Sequence, residues 1–174
     1  RQDEEVLTNS VVEAGGTLEL INGAHLTTLE TCGANSMWDG VKNHGNVDPN
    51  APQGMVRVHS GSRISNSLTG ILGGEGDPLA PGYAGAVKNG LIDIRDAFFE
   101  NNLHDVVLHG LPNGQFFLEY WDVPFFQNTT FSTTAHLNYD DLDPVAHVRI
   151  ADHGQSIFLG CTFANDLPTH TQSH

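Results

Sequence analysis

The chain has 174 residues, of which 21 are acidic and seven are lysine or arginine, so its formal net charge is −14. A charge of this size and sign repels phosphate backbones and anionic lipid surfaces, which excludes nucleic acid from the expected partners. No apolar run approaches the roughly 18 residues of a transmembrane segment, so membrane insertion is excluded too, and the acidic, lysine-poor composition is typical of an extracellular protein.

Strand-like segments and loops alternate along the chain. Short alternations of β-branched residues are separated by runs rich in Gly, Asn, Asp and Pro, which indicates β-strands and turns. Residues 1–10 are an expected irregular lead-in and residues 168–174 an expected mobile tail. Residues 11–167 are predicted to form a single β-domain of repeating coils at 11–42, 54–72, 90–110, 115–137 and 145–167.

Two short patterns recur in the same order in every coil. The first is an alternating triplet whose outer residues are apolar, so that they point to one side of a strand. These triplets are centred on Glu19, Arg57, Asp93, Glu119 and Arg149. The second pattern is an apolar residue followed by small or amide residues, and it starts at Leu26, Ile64, Phe99, Phe131 and Phe163.

The spacing of these patterns indicates a stacked repeat. The second pattern recurs after 38, 35, 32 and 32 residues, and the triplet centres are separated by 38, 36, 26 and 30 residues. Periods of about 20 to 50 residues are typical of repeat arrays, and the apolar spacing of three and four that helical repeats need is not found. The prediction is an all-β, right-handed parallel β-helix of about five coils, because crossovers between parallel strands are nearly always right-handed.

The order of five segments resembles that of a known family. GGTLEL is followed by MWDGV, then by GMVRV with ISNS, then by GLIDI with FENN and DVVL, and finally by GCTFAND. The chain thus resembles the pectate-lyase-like right-handed parallel β-helix proteins, and among them the large secreted and cell-surface proteins of Bacteroidetes. The resemblance covers most of residues 11–167. It implies the fold, and the short stack is expected to be part of a longer solenoid, whereas the superfamily includes lyases, hydrolases and adhesins.

Stacking predicts columns of equivalent side chains. Inside, the starts of the second pattern form an apolar column in which Phe99, Phe131 and Phe163 are buried and stacked. Outside, the triplet centres form a column of mostly alternating charge. An amide ladder is expected at one turn position, formed by Asn66, Asn101 and Asn165.

The candidate binding site lies in the insertions between coils. The loops 43–53, 73–89 and 138–144 all leave after the third strand of a coil in this alignment, so they are expected to share one edge, and insertions in repeat proteins often form the binding face. Their acids and tyrosines suit hydrogen bonding to sugars and stacking on them. The candidate ligand-binding residues are Asp48, Glu75, Asp77, Tyr83 and Tyr139.

An acidic cluster in the third loop is a candidate Ca²⁺ site. Asp140, Asp141 and Asp143 offer the oxygen ligands that this hard cation prefers. The cluster lacks the glycine and the distal glutamate of a helix-loop-helix calcium site, so an exposed acidic loop is the alternative interpretation. No other cofactor is expected.

Two functions are compatible with these features. The first is a non-enzymatic structural or adhesive segment of a secreted or cell-surface protein, whose partner is a polysaccharide or another cell-surface protein. The second is part of a polysaccharide lyase or of a glycoside hydrolase, and the hydrolase needs two carboxylates about 5 to 10 Å apart. The motif series of polygalacturonases is absent, with Asp152, His153 and Gly154 as a partial echo, so no catalytic residue is assigned and the first function is preferred.

Overall fold

The chain folds into short β-strands joined by turns and loops. The computed structural model describes residues 10–28, 37–46, 48, 50–74, 88–109, 123–135, 137, 144–151 and 156–166, and this part of the chain contains no helix. Its strands are β1 (Ser10–Val12), β2 (Thr17–Leu20), β3 (His25–Leu26), β4 (Trp38–Gly45), β5 (Met55–His59), β6 (Arg63–Ser65), β7 (Ser67–Gly73), β8 (Lys88–Asn89), β9 (Leu91–Arg95), β10 (Phe98–Glu100), β11 (His104–His109), β12 (Phe125–Gln127), β13 (Thr130–Thr133), β14 (Ala146–Ala151), β15 (Ile157–Leu159) and β16 (Thr162–Asn165).

Three parallel sheets share these strands in rotation. Sheet A contains β1, β4, β7, β11 and β14, sheet B contains β2, β5, β9, β12 and β15, and sheet C contains β3, β6, β10, β13 and β16. The chain visits A, B and C in turn, and each strand pairs in parallel with the strand of the same sheet one circuit later. The short strand β8 is antiparallel to β4. The prediction of an all-β parallel solenoid is therefore confirmed, while its right-handed sense and the number of coils stay predictions.

The first three triplets stack in sheet B as predicted. Glu19, Arg57 and Asp93 are in register on β2, β5 and β9. The apolar residues beside them, such as Val56 and Ile94, are completely buried. This arrangement follows from the two-residue period of a strand, which sends every second side chain inward.

The outer charges on sheet B pair only in part along the predicted column. Arg57 Nη1 lies 3.9 Å from Glu19 Oε1 on the neighbouring strand. Asp93 instead pairs with Arg95 on its own strand, with 2.7 Å between Arg95 Nε and Asp93 Oδ1, and with His59 at 3.4 Å. Because these pairs are partly exposed, each contributes about 0 to 1 kcal/mol and serves mainly to set register.

The prediction for the last triplet, centred on Arg149, was wrong. Val148 and Arg149 lie on β14 in sheet A, opposite Val106 and Val107 of β11. Sheet B continues instead through Phe126 of β12 and Phe158 of β15, which follow Ile94 in register. An alternating triplet fits either sheet, and the long connection 110–124 precedes β12, so alternation alone does not determine the sheet. The triplet around Glu119 lies outside the described residues.

The apolar column of sheet C has the predicted register. Leu26, Ile64, Phe99, Phe131 and Phe163 occupy equivalent positions on its five strands. The rings of Phe99 and Phe131 stack with centroids 5.3 Å apart, and those of Phe131 and Phe163 with centroids 4.9 Å apart. Phe99 and Phe131 are fully buried, but Phe163 is 51% exposed, so the prediction of its burial was wrong. Phe163 lies on β16, the edge strand of sheet C in the described part of the chain.

The corner between sheets B and C repeats one backbone conformation in every coil. Two residues after the last inward side chain of each sheet B strand, the backbone adopts a left-handed conformation with φ between 48° and 65°. Backbone N–H groups at this corner donate to carbonyls of the next coil, for example Asn128 N to Leu159 O at 2.8 Å. The left-handed residues are Asn22, Ser60, Asp96, Asn128 and Gly160. This B/C corner is a stacked turn, which explains why the chain changes direction there within a few residues.

The expected asparagine positions lie at the turn from sheet C to sheet A. Asn66 and Asn101 are left-handed, with φ of 55° and 56°. Their side-chain amides bond to threonines and not to each other: Asn66 Nδ2 donates to Thr27 Oγ1 at 3.0 Å, and Asn101 Nδ2 donates to Thr134 Oγ1 at 3.2 Å. The turn position was predicted correctly for Asn66 and Asn101, although the bonding of their amides differs from a simple amide ladder. Asn165 lies within strand β16, so the prediction of a turn there was wrong.

Candidate functional site

The corner between sheets A and B carries the long insertions. The chain passes from A to B through residues 13–16, 46–54, 74–90, 110–124 and 152–156. The second and third of these connections begin on neighbouring strands, because Asn43 of β4 pairs with Gly73 of β7. They also end on neighbouring strands, because Met55 of β5 pairs with Leu91 of β9. The bases of the insertions 46–54 and 74–90 therefore lie side by side at this A/B corner.

The third predicted loop belongs to a different corner. Residues 138–144 lead from β13 in sheet C to β14 in sheet A. The expectation that this loop shares an edge with the other two was wrong, because β14 belongs to sheet A and not to sheet B. Its candidate residues, Tyr139, Asp140, Asp141 and Asp143, lie outside the described residues, and the Ca²⁺ site stays a prediction.

Asp48 is the one candidate ligand residue that the structure describes. Its Oδ1 accepts a hydrogen bond from the backbone N of Asn50 at 2.9 Å, and its own N donates to Asn46 Oδ1 at 3.0 Å. Gln53 spans the loop, with its Oε1 accepting from Asn46 N and its Nε2 donating to Asp48 O. Asp48 is exposed and shapes the insertion through an Asx turn. Glu75, Asp77 and Tyr83 lie outside the described residues.

Asn43 joins the bases of the two neighbouring insertions. This side chain is 0% exposed, and its Nδ2 donates to Leu91 O at 2.9 Å. Its backbone O accepts from Gly74 N and Gly90 N at 3.0 and 3.3 Å. One residue on β4 is thus bonded to the start and to the end of the insertion 74–90. Sequence reasoning missed this role because Asn43 reads as an ordinary loop residue.

Two glycines make room for Asn43. A Cβ on Gly90 would lie 2.5 Å from both Asn43 Oδ1 and Gly54 O, and a Cβ on Gly54 would lie 2.3 Å from His44 O. The backbones can approach this closely only where there is no side chain. The sequence does hold a signal for this packing, since Gly16, Gly54 and Gly90 stand directly before the first three strands of sheet B.

The returning end of the insertion 74–90 is itself fastened to β4. In β8, Asn89 pairs antiparallel with His44, and Lys88 pairs with Gly45. His44 Nδ1 lies 3.2 Å from Glu13 Oε2, which belongs to the first A/B connection. Three successive A/B connections are therefore linked through β4. The described ends of these connections are therefore joined to one another at the A/B corner.

A second cluster lies inside the solenoid, between sheets A and C. Asp105 of β11 is 1% exposed, and its Oδ2 lies 2.6 Å from Nδ1 of His147 on β14. Its Oδ1 accepts from Asn102 Nδ2 at 2.7 Å. Asn102 Oδ1 in turn accepts from the backbone N and the hydroxyl of Ser67. Sequence reasoning missed this cluster because Asp105 and His147 are 42 residues apart.

An Asp–His pair has the chemistry of a catalytic dyad, but here both ring nitrogens are engaged. His147 Nε2 lies 3.1 Å from the carbonyl O of Ala164 in β16. A carbonyl oxygen only accepts, so Nε2 carries a hydrogen and cannot take a proton from a substrate. The hydrogen bond to Asp105 raises the pKa of His147, and burial raises the pKa of Asp105. The pair therefore stabilises the fold and is not arranged as a general base.

A histidine and a serine also meet on sheet C. His25 Nε2 lies 2.8 Å from Ser65 Oγ, and Ser65 Oγ donates to Thr27 Oγ1 at 3.0 Å. The serine hydrogen is thus directed to the threonine, and His25 donates to the serine. Burial and the nearby Arg63 lower the pKa of His25. Ser65 is 3% exposed, so this contact is internal packing and not an activated nucleophile.

These features define the class of the protein as a parallel β-solenoid with an insertion-bearing corner. No family model, curated protein or solved structure matches the chain. The described residues hold no group of three or more His, Cys, Asp or Glu side chains placed to bind a metal ion. A search of the same residues finds no helix with the length and hydropathy needed to cross a bilayer.

Proposed function

We propose that this chain is a non-enzymatic display segment of a secreted or cell-surface protein, built on a pectate-lyase-like β-helix. The proposal depends chiefly on one observation, which is that the bases of the insertions 46–54 and 74–90 lie side by side, where Asn43 bonds to both ends of the second one. A rigid base lowers the entropy lost when loops order around a ligand. The partner is a polysaccharide or another cell-surface protein.

The chemistry of the insertions favours a polysaccharide ligand. Asp48, Glu75 and Asp77 supply hydrogen-bond acceptors for sugar hydroxyls, and Tyr83 supplies a ring for stacking. These four residues belong to the two A/B insertions. The described Asp–His and Ser–His contacts, which resemble catalytic pairs in their chemistry, are engaged in internal hydrogen bonds. Binding without turnover is the function that these contacts support best.

A loop replacement tests this proposal. We expect that replacing residues 75–87 by a short Gly-Ser linker removes binding on a glycan array, because Glu75, Asp77 and Tyr83 are lost while β8 is kept. Shortening a loop by this much changes its closure free energy by about 1 kcal/mol or less, so the variant should still fold, which circular dichroism checks. Replacement of residues 138–143, in the connection from sheet C to sheet A, is the matched control and should leave glycan binding intact.

The contrary outcomes are distinct. Glycan binding that survives the 75–87 replacement would remove this insertion from the site. Binding that survives the 75–87 replacement but is lost in the 138–143 variant would move the site to the connection from sheet C to sheet A. Release of unsaturated or reducing sugar ends by the intact chain would show that the protein is a lyase or a hydrolase.

A further inference from the structure

The Asp105–His147 pair connects three strands in two sheets. Asp105 lies on β11 and His147 on the adjacent β14, both in sheet A, while Ala164 lies on β16 in sheet C. The bridge runs from Asp105 Oδ2 through the imidazole to Ala164 O, with distances of 2.6 and 3.1 Å. It adds a side-chain link between sheets whose backbone bonds run only within each sheet. Losing this link weakens β14 and β16 and leaves β2 and β5 untouched.

The bridge requires one particular number of protons. Nε2 must carry a hydrogen to donate to the Ala164 carbonyl, and a second proton must lie between His147 Nδ1 and Asp105 Oδ2, since Asp105 Oδ1 already accepts from Asn102. When that second proton leaves, a nitrogen lone pair faces either the carboxylate or the carbonyl. One of the two hydrogen bonds is then replaced by repulsion between lone pairs.

We propose that Asp105 and His147 form a pH-sensitive latch that holds β14 and β16 against β11 and releases them above neutral pH. The device is independent of the proposed glycan binding, because it uses none of the insertions' side chains. Asp105 lies near the start of β11, whereas Asn43 is level, through Gly73, with Leu108 near the end of that strand. It makes the strength of this part of the solenoid depend on ambient pH.

The direction follows from both partners. The hydrogen bond to Asp105 raises the pKa of His147 above its ordinary value of 6.5. The stability contributed by such a histidine is complete below the ordinary value and is lost as pH rises through the raised value. Burial raises the pKa of Asp105 above its ordinary value of 3.8, so its ionisation also opposes folding as pH rises. Both shifts act in the same direction, because each removes stability as pH rises.

Two other charged or titratable groups lie beside the pair. His104 precedes Asp105 on β11, and burial together with the nearby Arg149 lowers the pKa of His104. His104 is therefore uncharged before His147 loses its proton. Neither group reverses the direction of the effect.

Amide hydrogen exchange on the full chain tests the latch, because protection factors remove the intrinsic pH dependence of exchange. Between about pH 5.5 and pH 8.5, protection in β14 and β16 should fall about tenfold, while protection in β5 changes less than about twofold. In His147→Gln this pH-dependent fall should disappear. In Asp105→Asn, which removes the charge that holds the proton, the fall should move to lower pH.

The matched control is His59→Gln, because His59 meets Asp93 on the outer face of sheet B. In this variant, protection in β14 and β16 should fall with rising pH as it does in the original protein. The proposal is overturned if the original protein shows no fall, or if His147→Gln shows the same one. If both latch variants fail to fold, the pH dependence of the imidazole ¹⁵N chemical shifts of His147 in the original protein provides the test. The latch would be overturned if the titration midpoint of His147 differed by more than about one pH unit from the midpoint of the loss of protection.

Discussion

The two corners of sheet B follow opposite rules. At the B/C corner the chain passes between sheets in two to four residues, and every coil uses a left-handed residue at the same place. At the A/B corner the connections contain from four to 17 residues. The B/C corner keeps the coils in register, so the A/B corner is free to lengthen. One corner is the scaffold, and the other carries the variable surface.

The difference has a physical basis. Lengthening a loop costs little, since each doubling adds only about 0.6 kcal/mol of closure entropy. A left-handed turn tolerates no such change, because its backbone N–H and C=O groups are bonded to the next coil. The A/B insertions remain ordered at their bases because Asn43, Gly54 and Gly90 pack tightly there.

The largest expected effect comes from the core between the two corners. Phe131→Ala should lower the free energy of unfolding by about 3 to 5 kcal/mol, because the ring is fully buried and stacks with both Phe99 and Phe163. Urea unfolding measures this loss. Phe163→Ala is the control and should cost much less, since that ring is half exposed. Equal losses of unfolding free energy in the two variants would show that the exposed face of Phe163 on β16 is covered.

A smaller effect is expected at the base of the insertions. Gly90→Ala should destabilise by about 1 to 3 kcal/mol, because the new Cβ meets Asn43 Oδ1 and the Gly54 carbonyl. Gly16→Ala, at the equivalent position of the first coil, should destabilise the protein less, since the nearest atom to its new Cβ would be Glu13 O at 3.0 Å. Thermal unfolding compares the two. Identical values would mean that the A/B corner is not tightly packed around Asn43.

The smallest effect tests the B/C turn itself. Asn128→Ala should cost about 1 to 2 kcal/mol, because alanine resists a left-handed backbone, and the variant also loses the bond from Asn128 Nδ2 to Asp96 Oδ1. Asn128→Gly keeps the conformation and should recover most of the loss. Chemical denaturation of the two variants separates backbone strain from the side-chain bond. A glycine variant as unstable as the alanine variant would assign the whole effect to the side chain.

The sequence predicted sheet C better than sheet B. All five column residues from Leu26 to Phe163 were placed in the correct register, because an apolar residue followed by small or amide residues recurs at each of these strands. In sheet B the first three triplets were correct, the triplet around Arg149 lies in sheet A, and the triplet around Glu119 lies outside the described residues. The strands around Phe126 and Phe158 were missed, although each lies five residues before its sheet C partner, as Ile94 lies five residues before Phe99.

Local periodicity was enough to establish a parallel solenoid, because inward side chains must recur every two residues along a strand and once per coil. Only the tertiary structure decided which strand joins which sheet, that loop 138–144 leaves from another corner, and that Asp105 and His147 meet. Such contacts depend on the lengths of intervening loops, which carry no periodic signal. Two residues 42 positions apart become neighbours only when the coils between them have stacked.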